Sequence, residues 1–156
     1  MTSMDEAVHE LVEQLTKRKR YLQEIRTLAQ RQKIAIAGRN QEELLQLLEE
    51  RKQIISQVDA LDAADNRALE FFRSGGKSLQ RAAPDGPPEE VLAVARDIKS
   101  IASEILSLDE ENIASARHLQ NDLRMHLDGI NKHRRSKKLY QGDGKKITGA
   151  LINKVR

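Results

Sequence analysis

Hydrophobic positions recur along residues 91–130 at three- and four-residue steps, with one seven-residue step after the polar Asn112: Val91, Val94, Ile98, Ile101, Ile105, Leu108, Asn112, Leu119, Leu123, Leu127 and Ile130. This heptad-like spacing lines one side of a helix, and no glycine or proline interrupts it before Gly129. A helix of about 50 residues extends roughly 75 Å at 1.5 Å per residue. That is more than a compact domain of 156 residues spans, so the helix must lie against other long helices.

Two more stripes precede it. Ser3 and Glu6 have the spacing of a capping box, which starts a helix over 4–37 carrying Val8, Leu11, Leu15, Leu22, Ile25, Leu28, Ala29 and Ile36. Arg18 and Gln32 sit near seam positions and thin that stripe. Gly38 is placed to stop the helix in a left-handed conformation, and Asn40 with Glu43 to cap the next. A second helix, 41–74, carries Leu44, Leu47, Leu48, Ile55, Val58, Leu61, Leu69 and Phe72. Gly75, Gly76, Pro84, Gly86, Pro87 and Pro88 then rule out a helix and predict a mobile connection over 75–87. A third helix, 88–140, starts near Pro88 with Glu89 and Glu90 at the positive end of its dipole. The expectation is an all-α, up-down-up, coiled-coil-like bundle of three long antiparallel helices over 1–130, whose third helix outruns its partners.

Composition fits this picture: 33% charged and 3% aromatic residues suit surface-rich helices better than the interior of a sheet sandwich or an enzyme core. No stretch approaches the roughly 18 uncharged apolar residues of a membrane span, and Asp5 and Glu6 stand where a signal peptide is basic and then apolar. An unexported cytoplasmic protein is the expectation. The absence of Cys removes disulfides, thiolate metal sites and a thiol nucleophile.

Charge divides the chain more sharply than composition does. From Asn131 onward there are nine Lys or Arg and one acid, a net of +8, which leaves 18 basic and 23 acidic residues before it, a net of −5. Within this basic tail, 131–156, Ile147, Leu151, Ile152 and Val155 recur at helical spacing among glycines. Such a segment can fold on a partner.

Catalytic chemistry has no evident home. His118, His126 and His133 are eight and seven residues apart, so successive rings stand about 10 Å or more apart along a helix, too far to share one metal ion. Pairs such as Glu42 with Glu43 and Glu49 with Glu50 read as a solvated helix face, and Gly142 with Gly144 lacks the Lys-Ser/Thr ending of a phosphate loop. No enzyme activity, metal, cofactor or small-molecule substrate is expected. Asn112 has two readings: a tolerated polar residue, or a buried amide that selects register or partner at a cost in stability. The basic cluster 133–138 has no aromatic interleaving and reads as a solvated helix end rather than a nucleic-acid surface.

The segment LAQRQKIAIAGRNQEELLQLLEERKQIISQVDAL, residues 28–61, resembles the FlgN-type flagellar export chaperones: a helix end, a short break after a small residue, spaced leucines, a central Lys and another leucine run. LDEENIASARHL, residues 108–119, is similar to the family's third helix and places Asn112 at its Asn. The resemblance implies a chaperone that binds newly made hook-filament junction subunits, keeps them from associating early and delivers them to the flagellar type III export apparatus. It also implies that the C-terminal region forms a helix with the client's own terminal helix. Carried onto this chain, that region points to Leu127, Ile130, Leu139, Tyr140, Ile147, Leu151, Ile152 and Val155. Two other functions compete with it: a structural coiled-coil adapter or oligomer with a solvated tail, and a binder of nucleic acid or anionic surfaces. Salt separates them, because phosphate binding weakens steeply with added salt and apolar docking does not.

Overall fold

The computed structural model describes residues 3–80 and 83–141; the side chains of Ser3, Met4, Tyr140 and Gln141 are outside what it describes. The described chain is all-α. It consists of α1 (Ser3–Ala37), α2 (Gln41–Ala64), α3 (Arg67–Arg73), a 3₁₀ turn (Lys77–Leu79) and α4 (Glu89–Gln141), with no strand among the described residues. By packing it divides into two units, Met1–Ile113 and Ala114–Arg156, the division falling within α4.

In the first unit, α1 ends as expected but by a different residue. Gly38 does not adopt the left-handed conformation; Arg39 does, at φ 55°. The Asn40 amide then reaches back to the Ala35 carbonyl at 2.9 Å, which closes the helix end. Asn40 caps α2 through its side chain, whose Oδ1 accepts from the Glu43 amide at 3.1 Å. The Ser3 half of the capping box lies outside the described side chains.

The expected second helix is broken. Asp65 is extended, at φ −151° and ψ 106°, and ends α2 ten residues early. Its Oδ1 accepts from the Arg67 amide at 3.1 Å, so the carboxylate offers the backbone a local partner that competes with helix continuation. Restarting the chain in α3 changes the helical phase. Ala68 and Phe71 become buried, whereas Phe72, the residue on the uninterrupted stripe, is only partly so and meets Phe71 edge-on at 5.6 Å. The expected mobile connection also contributes to the packing through its described residues Leu79 and Ala83, which enter the same cluster as Leu15, Phe71 and Val91. Gly76, at φ 92°, allows the chain to close there, facing Phe71 and Pro87.

Two sets of ion pairs report the helix directions. Lys19, Arg26 and Lys33 on α1 pair with Asp97, Glu104 and Glu111 on α4 at 2.8, 3.1 and 3.1 Å. The steps are seven residues on both helices, so α1 and α4 run the same way in heptad register. Arg18 with Asp62 and Arg31 with Glu43 pair α1 with α2 in the opposite sense. Each exposed pair contributes no more than about 1 kcal/mol; the apolar stripes carry the stability and the rungs set the register.

Those stripes differ in detail from the periodic reading. On α2, Leu47 is fully buried and Leu44 and Ile54 are partly buried against the core, while Leu48 and Ile55 stand exposed. On α1, Gln32 is buried and Arg18 is held by Asp62, so the two supposed gaps in the seam are occupied polar contacts.

The second unit is described only through α4 as far as Gln141. From Ala114 to the end of the described side chains no residue is buried.

Candidate functional site

Asn112 lies in a polar layer within the first unit. Arg51 on α2 donates two hydrogen bonds to Asp109, each 2.6 Å, and a third, 3.2 Å, to Oε1 of Gln32. Bidentate bonding to Asp109 raises the Arg51 pKa above its ordinary value, outweighing the opposing effect of partial burial. One turn along α4, Asn112 is buried and its Nδ2 donates to the Ala29 carbonyl at 3.0 Å. Its Oδ1 is buried with no hydrogen-bond partner among the described residues. An unpaired buried acceptor costs about 1–3 kcal/mol, so the amide is a costly way to fill a core position. What it provides is a directional tie from α4 to the backbone of α1.

After this layer α4 keeps its periodicity. Leu123, Leu127 and Ile130 fall on one side of the helix at four- and three-residue steps, and Leu127 and Ile130 are 41% and 37% exposed. Leu139 follows Ile130 by nine residues, about 2.5 turns, and so projects from the opposite side, 84% exposed. Tyr140 belongs to the helix, with its side chain outside the described set, and Ile147, Leu151, Ile152 and Val155 lie outside the described residues altogether. The structure therefore brings Leu127 and Ile130 together and sets Leu139 apart from them.

A shallow groove runs beside Ile130, lined by Met125, His126, Gly129, His133 and Arg134. Met125 is 71% exposed and escaped the sequence reading because it lies off the stripe. The signal that could have found it is its chemistry: an unbranched thioether adapts to irregular partners and is overused on such surfaces. Alongside and beyond the groove, Lys132, Arg134, Arg135, Lys137 and Lys138 are all exposed near the helix's negative end. His118 faces Asp122 at 3.5 Å on the open surface. Among the described residues no three His, Asp or Glu side chains cluster as metal ligands, and no described helix is long and apolar enough to cross a membrane.

Among the described residues the distal half of α4 thus presents an apolar strip followed by a basic end, with no side chain buried. The family model for FlgN protein matches residues 1–147. The chain belongs to the FlgN family. FlgN proteins are chaperones of flagellar assembly that bind flagellar proteins, and the helical, coiled-coil character of this chain agrees with that membership. The match includes the polar layer, the strip on α4 and part of the basic tail. No curated protein and no solved structure matches the chain.

Proposed function

We propose that this FlgN protein is a cytoplasmic export chaperone for hook-filament junction subunits. Its bundle, with α1, α2 and α4 arranged up-down-up, serves as a scaffold that presents the second half of α4 and the tail 131–156 to the terminal helix of a client. Leu127, Ile130, Leu139, Tyr140, Ile147, Leu151, Ile152 and Val155 supply the apolar contacts, and delivery to the flagellar type III export apparatus follows capture. The observation that carries the reading is the uncovered stripe: Leu123, Leu127 and Ile130 continue a core-forming pattern on a helix stretch where nothing is buried.

Titration calorimetry of a purified hook-filament junction subunit against the full chain tests this. Replacing Leu151 and Val155 with Ser is expected to weaken binding while leaving the melting temperature nearly unchanged, because the lost burial, on the order of 1.5–3 kcal/mol per side chain, belongs to the complex. A marked fall in melting temperature with binding retained overturns the assignment. Raising the salt concentration should change the affinity little; a steep loss points instead to a binder of phosphate-bearing surfaces.

A further inference from the structure

The outer face of the α2–α4 pair, opposite α1, has a self-complementary pattern. Arg51 and Asp109 join the two antiparallel helices at its centre. Leu48 and Ile55 stand three residues before and four after Arg51; Leu106 and Ile113 stand three before and four after Asp109. Across the antiparallel pair this sets Leu48 level with Ile113 and Ile55 level with Leu106. All four are exposed, from 43% at Ile55 to 64% at Leu106. The residues that pair with α1, Glu43 and Glu50 on α2 and Asp97, Glu104 and Glu111 on α4, lie round the other side of each helix. The strip therefore faces away from the core.

Charges border it on both helices. Lys52 and Asp59 flank the strip on α2, Lys99 and Glu110 on α4, and none of the four has an ion-pair partner among the described residues. We propose that the occupant is a second copy of this chain, related by a two-fold axis parallel to the helices. That axis lays α2 of each copy over α4 of the other at the same level. Leu48 then meets Ile113 of the other copy and Ile55 meets Leu106, giving four helices around a shared apolar centre. Lys52 comes opposite Glu110 and Asp59 opposite Lys99, each pair offset by two residues, about 3 Å along the helix, which a lysine side chain spans. A two-fold axis across the helices would instead set Lys52 against Lys52 and Glu110 against Glu110. The charge pattern selects the parallel axis and, with it, a self-associating partner.

Sedimentation velocity of the full chain tests this independently of client binding. The wild-type chain is expected to dimerise at micromolar concentration, and Leu106→Glu to raise the dissociation constant by about a hundredfold with helicity by circular dichroism unchanged. Lys52→Glu and Glu110→Lys should each weaken the dimer by about tenfold, and the double variant should restore it, which a merely structural role for either residue would not do. A chain that stays monomeric to millimolar concentration overturns the proposal. So does a dimer indifferent to Leu106→Glu, or a double variant that fails to recover. Loss of client capture by Leu106→Glu in a chain that is monomeric throughout would give the face to the client's helix and overturn it equally.

Discussion

α4 carries one pattern and meets two fates. Between Val91 and Asn112 most of its stripe (Val91, Ile98, Ile101, Ile105 and Asn112) is buried, with Val94 and Leu108 half-buried; between Leu119 and Ile130 none of the stripe is buried. Nothing in the residue types separates the halves, since Ile105 and Ile130 are the same side chain at equivalent steps. The difference is that the described residues supply neighbouring helices for the first stretch and bury nothing along the second. Hydrophobic periodicity reports that a face exists and says nothing of whose surface covers it.

The sharpest way to break that comparison is to truncate equivalent residues on either side. Ile105→Ala is expected to cost about 2–5 kcal/mol in urea unfolding through the cavity it leaves, whereas Leu127→Ala should stay within about 0.5 kcal/mol. Equal costs would mean that the distal stripe is covered after all. Next in size is the polar layer at which the covered part ends. Asp109→Ala should cost about 1–3 kcal/mol by the same measurement, because it strips Arg51 of its bidentate partner in a partly buried setting. A cost near zero would make the layer incidental.

A smaller effect follows from the break between α2 and α3. Hydrogen bonding from Arg67 holds the Asp65 carboxyl below the usual carboxylate range, and the same bond to Asp65, followed by a contact with Glu10, raises the Arg67 pKa. A lowered folded-state pKa means that the unfolded chain takes up this proton first as acid is added. The contribution of Asp65 is therefore present above the ordinary carboxyl pKa of about 3.9 and is lost as the pH falls through the lowered value. Asp65→Asn should reduce stability at neutral pH by less than about 1 kcal/mol and narrow the gap to wild type in acid; a gap that widens in acid would contradict the pairing. The least effect is expected at the α1–α2 turn. Gly38 has ordinary backbone geometry, with space for a methyl group 3.4 Å from the Ile34 carbonyl, so Gly38→Ala should stabilise by roughly 0.4–1 kcal/mol. Arg39→Gly relieves the left-handed residue and should not destabilise the helix end.

Much of the fold was legible because its determinants are local and periodic. The stripes of α1 and α4, the Asn40 cap and the start near Pro88 all follow from spacing. Other features depend on side chains finding particular partners. Asp65 breaks a helix only because its carboxylate turns to the Arg67 amide; Gln32 looks like a flaw in a seam until Arg51 arrives from another helix. Leu79 and Ala83 sit among glycines and prolines that advertise a loop, and their burial depends on the end of the core they close. At the candidate site, Leu127 and Ile130 were readable from the stripe, whereas Met125 was not, since an off-stripe residue on an uncovered helix carries no periodic mark.

The three-rung ladder between α1 and α4 also constrains which lengths the chain can have. Deleting one residue between Lys19 and Lys33 would turn every later cation by about 100° around α1 and leave the matching acids of α4 unanswered. Removing seven from each helix would drop one rung and leave the remaining rungs in phase. Within these stretches, insertions and deletions among family members should come in sevens and in matched pairs. The ion pairs, weak as glue, act on sequence variation much as a reading frame does.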